Sequence, residues 1–187
     1  RRGVGFHGHS EVMAWEQDGP RHRLRTRGGT LTADKVIIAT NGFTRDKLHP
    51  GVSGTLLPAL SNIIVTRPMS DEEVARHKWV TECPVWNTRT LVFYYRMIKG
   101  NRFLLGARAA TRNTEAATEQ YRCWLIEQFH AMWPQWSDIE IDYFWRGFVC
   151  LSAARVPHIG ELPESPGVWH AFGYHGGGVG WATFSGR

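Results

Sequence analysis

Toward its end the chain reads Gly173-Tyr174-His175-Gly176-Gly177-Gly178-Val179-Gly180. Glycine lets backbone come close to a ligand. Between a strand and a helix, such a loop aims N–H groups and the helix N-terminus at one point. An electron-rich group would fit there: a phosphate or a polarised ring carbonyl. The G-x-x-x-x-G-K-[ST] pattern of nucleoside-triphosphate hydrolases is not present. His175 lies inside the loop, where an imidazole can tune a bound ring or position a substrate. A second candidate is Thr40-Asn41-Gly42, a sharp turn after the apolar run Val36-Ile37-Ile38-Ala39. In open α/β sheets, ligands bind at the carboxyl ends of such strands. His7-x-His9 falls short of the three or four convergent ligands of a transition-metal site, so no metal is expected. No G-x-S-x-G or Ser-His-Asp order supports hydrolase chemistry. Cys83, Cys123 and Cys150 are dispersed and odd in number. They suggest free thiols in a reducing cytoplasm, not a zinc ribbon or a disulfide framework.

The elements that would position these groups follow from periodicity. Residues 11–17, Asp18-Gly19-Pro20 and residues 22–27 read as strand, turn, strand, the second with Arg23, Arg25 and Arg27 on one face. Leu31 and Ala33 lead into the 35–40 run, which lacks alternation and is read as a parallel strand buried on both faces. Residues 48–60, with two Pro and two Gly, read as a crossover. Residues 61–66 form a strand. Ser70 with Glu73 is a capping box opening a short helix to about Lys78. Residues 91–97 and 102–106, around Lys99-Gly100-Asn101, form an antiparallel hairpin. From 114 to 133 the apolar set Ala117, Tyr121, Trp124, Leu125, Phe129, Met132 and Trp133 marks a long amphipathic helix stopped by Pro134. Residues 139–149 and 168–172 are strands, and 181–185 a helix entering the core. Trp145 and Trp169 are read as core.

Composition excludes several classes. The 187 residues carry 22 Lys+Arg, 17 Asp+Glu and a net charge of +5. The arginines are scattered along the chain and no nucleic-acid-binding module accompanies them, so no nucleic acid is expected. No run approaches the ~18 apolar residues of a membrane helix. Length alone suits one sizeable domain or two small ones.

Taken in order, five segments form a pattern. Ala33-Asp34-Lys35-Val36-Ile37-Ile38-Ala39-Thr40-Asn41-Gly42-Phe43 resembles the "A-x-x-V-V-x-A-T-G-A" strand of flavoproteins. Phe93-Tyr94-Tyr95-Arg96 with Asn101-Arg102-Phe103-Leu104-Leu105-Gly106-Ala107-Arg108 resembles a substrate-domain hairpin. Trp145-Arg146-Gly147 and Pro157-His158-Ile159-Gly160 resemble "W-x-G" and "P-x-I-G" segments. The glycine loop resembles "G-[YF]-x-G-x-G-[VF]". Together they resemble the D-amino-acid-oxidase family of FAD-dependent amine oxidases, which includes sarcosine, glycine and γ-glutamylputrescine oxidising members.

That resemblance implies an α/β (α+β) fold: part of a Rossmann-like FAD-binding domain, residues 1–52 and 150–187, with an inserted antiparallel-sheet substrate domain, residues 53–149. It implies FAD as cofactor and a small-molecule amine as substrate. Val12 matches a position whose backbone meets the adenine; Thr40, Asn41 and Gly42 match the turn beside the dinucleotide. Pro157, His158, Ile159 and Gly160 would line the flavin side of the sheet. Gly173, Tyr174, His175, Gly176, Gly177, Gly178 and Val179 match the loop that approaches the isoalloxazine ring. Tyr94 matches a position facing substrate, and with His175 is the candidate catalytic pair.

Departures narrow the reading. Where simple amino-acid oxidases place an Arg after "W-x-G", this chain has Val149. The usual Asp before "P-x-I-G" is Ala154. Gly180 stands where some sarcosine oxidases carry Lys. Gly147 stands where some carry a flavin-bonded cysteine, so Cys150 is offset and no covalent link is expected. A polyamine derivative or N-alkyl amine is easier to reconcile than an α-amino acid. Gly3-x-Gly5-x-x-Gly8 spells the dinucleotide fingerprint without a preceding apolar strand and reads as a turn region. The chain therefore reads as the C-terminal half of a flavoprotein. The alternative is a truncated or degenerate relative that binds no FAD and serves as a binding module.

Overall fold

The computed structural model describes residues 3–187. In chain order, the first strands are β1 (Ala14–Asp18), β2 (Arg21–Thr26), β3 (Gly29–Ala33), β4 (Val36–Ile38) and β5 (Leu56–Thr66). Helix α1 (Asp71–Ala75), β6 (Val85–Trp86), β7 (Phe93–Ile98), β8 (Arg102–Ala110) and helix α2 (Glu115–Met132) follow. Then come β9 (Ile141–Ser152), β10 (His158–Glu161), β11 (Val168–Phe172) and helix α3 (Gly178–Ser185). They form two compact units, Arg1–Leu57 with Cys150–Arg187, and Pro58–Val149.

The first unit holds two sheets. Strands β1, β2 and β3 pair antiparallel in that order. The period-2 pattern sorts as expected, with His22 and Leu24 buried and Arg21, Arg23 and Arg25 exposed. Residues 29–33 do not lead straight into the apolar run. Arg27-Gly28 closes a tight hairpin and Thr30-Leu31-Thr32 are strand formers, so β3 folds back on β2. The second sheet runs β10-β11-β4, with β4 parallel to β11. Here the sequence reading needs correction. Ile38 is 4% exposed, packing with Val52, Val168 and Phe172, but Ile37 is 69% exposed. The strand is apolar on both faces and buried on one; among the described residues no layer covers the face of Ile37. Trp169, expected in the core, is 41% exposed for the same reason.

In the second unit the sheet runs β6-β7-β8-β5-β9. One face carries Phe93, Phe103, Leu105 and Ala107 against Leu125 and Phe129 of α2 and Trp136 beyond it, all at most 2% exposed. Burying each large side chain contributes about 1.5–3 kcal/mol. Thr114 caps α2 by accepting from the Ala117 N–H, and Pro134 follows its last turn. The capping box of α1 forms in both directions between Ser70 and Glu73, but the helix ends at Ala75, short of Lys78. The expected crossover is half strand: β5 starts at Leu56 and carries Pro58. Its pairing with β8 begins at Leu60, so the missing proline N–H costs no bond to that neighbour. Trp145, expected in the core, is 45% exposed. No helix among the described residues is long and apolar enough to cross a membrane.

Candidate functional site

In the first unit the structure brings together two of the sequence-derived segments that lie far apart in the chain. The Gly173 N–H donates to Asn41 Oδ1 at 3.0 Å. Asn41 can offer that oxygen because its backbone is left-handed, φ 45, a region asparagine tolerates better than most side chains. Residues Asn41–Phe43 form a 3-10 turn held by Phe43 N–H to Thr40 O at 2.9 Å and Thr44 Oγ1 to Asn41 O at 2.8 Å. Gly173 itself has φ +72, and a Cβ there would meet Leu56, Ser152 and His158. A side chain at 173 would be both strained and crowded.

The glycine segment is shorter as a loop than expected: α3 already starts at Gly178, so Gly178, Val179 and Gly180 are its first residues. Gly176 (φ 96) and His175 (φ 53) supply the reversal before it, and Gly177 N–H donates to Tyr174 O at 2.8 Å. Val179 is 93% exposed. His175 is tied to the end of β9. Its N–H donates to Cys150 O at 3.3 Å, and its ring Nε2 accepts from the Ser152 N–H at 3.3 Å, with Ser152 Oγ at 3.1 Å. A backbone donor at Nε2 makes that nitrogen an acceptor and puts the neutral ring's proton on Nδ1. Ser152 was not legible from the sequence, since it belongs to no motif.

Ile159 is 40% exposed on β10, and Gly160 has φ +151. His158 pairs with Phe172 and stacks on its ring at 5.9 Å. His158 Nε2 and His170 Nδ1 are buried without a hydrogen-bond partner among the described residues. Burial, and then the neighbouring His158, lower the His170 pKa below the usual imidazole range. Val12 and Thr40 line a cavity of about 510 Å³ with Trp15, Leu24, Ile37 and Phe43. The Arg45–Glu11 ion pair, 2.9 Å, stands among its lining residues. A mostly apolar cavity of this size suits a planar heteroaromatic ring. The cavity lined by Val12 and Thr40 thus has the size and apolar lining that the adenine of FAD would need. Gly3, Gly5 and Gly8 lie on irregular backbone before β1 and form no strand–turn–helix cradle for the pyrophosphate.

Tyr94 belongs to the second unit, on β7. Its hydroxyl lies 2.8 Å from Ser61 Oγ, and its ring lies directly over Gly106 of β8. A Cβ at 106 would fall within 2.5 Å of the hydroxyl and closer still to the ring. Burial pushes the Tyr94 pKa up, against the Ser61 hydrogen bond and the Arg108 charge, which pull it down. Tyr94 therefore stays protonated at neutral pH and can donate one hydrogen bond. Gly106 and Arg108 belong to the hairpin segment quoted from the sequence, and the alternation of β8 puts them on the face of Tyr94; Ser61 on β5, opposite Arg108, is the neighbour that no motif named.

A family model described as FAD dependent oxidoreductase (DAO) matches residues 1–187. Among curated relatives, the γ-glutamylputrescine oxidoreductase of Escherichia coli is 30% identical over 166 residues, 88% of this chain and 37% of its own length. A probable oxidoreductase of Haemophilus influenzae is 29% identical over 167 residues, with the same coverage of 88% and 37%. The crystal structure of glycine oxidase from Geobacillus kaustophilus superposes with a TM-score of 0.73 at 23% identity, over 95% of this chain and 46% of that one. The chain spans less than half the length of these relatives. With the family pattern running from its first residue to its last, and with the fold of a glycine oxidase, this chain belongs to the DAO family of FAD dependent oxidoreductases.

Proposed function

We propose that the chain forms part of an enzyme that oxidises the C–N bond of a primary or secondary amine or amino acid. The observation that carries this reading is the Gly173–Asn41 bond, which ties the two segments expected at the dinucleotide to each other. Bound FAD would supply the hydride acceptor for the carbon next to nitrogen. Residues Arg1–Leu57 with Cys150–Arg187 are its binding portion and Pro58–Val149 the substrate portion. Val12 and Thr40 hold the adenine end, and Asn41 and Gly42 flank the dinucleotide. Pro157, His158, Ile159 and Gly160 line its flavin side. Backbone N–H groups of residues 173–179 other than those of Gly173, His175 and Gly177, which donate within the protein, would stabilise negative charge on the ring, as preorganised donors do at oxyanion sites. His175, held by Ser152, orients that loop. Tyr94, protonated at neutral pH, donates to substrate while its oxygen accepts from the Ser61 hydroxyl. No side chain must act as general base if the neutral amine binds. The exposed thiols of Cys83 and Cys123 and the buried Cys150 suit a reducing cytoplasm.

Anaerobic mixing of the full-length, flavin-loaded protein with a panel of amines tests this. Bleaching of the flavin bands by an amine, slowed in Tyr94→Phe, is the expected result. A protein that takes up no FAD would favour the flavin-free binding module instead.

A further inference from the structure

Within the second unit a separate cavity of about 320 Å³ opens at the end of the β7–β8 hairpin beside α2. Its apolar walls are Phe93, Tyr121 and Trp124, and its polar groups are Arg89, Arg108 and Gln120. None of its lining residues is acidic. Arg89 lies over the Phe93 ring at 5.1 Å. A guanidinium stacked on a ring keeps its in-plane N–H groups available for bidentate bonding to a planar anion. The volume lies at the small end of ligand pockets, too small for a dinucleotide and sufficient for a ring with a short chain.

We propose that this cavity binds the carboxylate of a small amphiphilic molecule, with Arg89 and Arg108 holding the anion and Phe93, Tyr121 and Trp124 its apolar body. The carboxylate could belong to the amine substrate or to a separate organic acid; the chemistry is the same. The site stands on its own cavity and does not depend on amine oxidation.

Calorimetry on the full-length protein tests it, with 3-phenylpropanoate as probe and 3-phenylpropan-1-ol as its uncharged counterpart. The acid is expected to bind one per chain, roughly tenfold or more tighter than the alcohol, since charge-assisted bonds exceed neutral ones by about that factor. Arg89→Gln and Arg108→Gln should each weaken the acid roughly tenfold and leave the alcohol unchanged. Arg89 is exposed, so its variant should keep the wild-type unfolding midpoint, which separates lost binding from lost fold. Equal binding of acid and alcohol, no saturable binding of the acid, or unchanged affinity in both variants overturns the proposal. Given binding, a rise in KM for the amine at constant kcat assigns the carboxylate to the substrate; a change in kcat alone assigns it to a separate acid.

Discussion

Replacing Asn41 separates two costs that the structure places on one residue. Its Oδ1 is the acceptor for the Gly173 N–H, and Gly173 is buried. A buried donor left unpaired costs about 1–3 kcal/mol. Its backbone, φ 45, costs a residue with a Cβ and no local hydrogen bond about 1–2 kcal/mol. Asn41→Ala pays both, about 2–4 kcal/mol when partial relaxation is allowed for. Asn41→Gly keeps the left-handed backbone and loses the acceptor, and glycine's greater freedom when unfolded adds about 0.5–1 kcal/mol. It should fall just short of the alanine variant. Asn41→Asp keeps an acceptor and tolerates the same φ, so its cost should stay under about 1 kcal/mol. Urea unfolding of the full-length protein measures the order Asp, Gly, Ala. Amide exchange at Gly173 localises it, with protection lost in Ala and Gly and kept in Asp. If all three variants unfold alike and the Gly173 amide keeps its protection, the bond does not join the two segments and the site argument fails.

Gly106→Ala should expel the Tyr94 ring, because the new Cβ would overlap it. The expected loss is about 1–3 kcal/mol, the usual cost of overpacking. With the ring in water the phenol should titrate nearer its ordinary value of 10.0, read as the ultraviolet difference from Tyr94→Phe; an unchanged titration contradicts the packing. Glu73 should give the acid limb of the stability curve. Its hydrogen bonds from Arg67, and then from the Ser70 N–H, hold its pKa at about 2 against an ordinary 4.5. A depressed carboxylate pKa stabilises the fold above 4.5 and loses that contribution as pH falls toward 2. Glu73→Gln should flatten the fall in unfolding midpoint across that window, and an identical profile would refute the pairing.

Where sequence alone was informative, local physics decided the outcome. The α2 helix was legible because apolar residues recur on one face and Pro134 ends it, and the packing of Leu125 and Phe129 agrees. The Ser70–Glu73 box was legible because both partners of the reciprocal bonds lie within one turn. The run through Val36, Ile37 and Ile38 misled because composition records which side chains can be buried, not whether a layer covers them. Pro58 suggested a crossover, but a stretch of strand not yet paired with β8 accepts proline. The candidate site divided similarly. Asn41 and Gly173 stand in recognisable segments, and the fold joins them. The anchors of the candidate catalytic side chains, Ser61 for Tyr94 and Ser152 for His175, became visible only with the strands in register, because a serine in a strand carries no signal of its own.

The most direct test of the account is the position of the flavin in crystals of the full-length protein loaded with FAD. The account places the isoalloxazine within hydrogen-bond reach, about 3 Å, of backbone N–H groups between Gly173 and Val179, and the adenine against Val12. A flavin bound elsewhere, with that loop and the Asn41 turn facing only solvent, would contradict it.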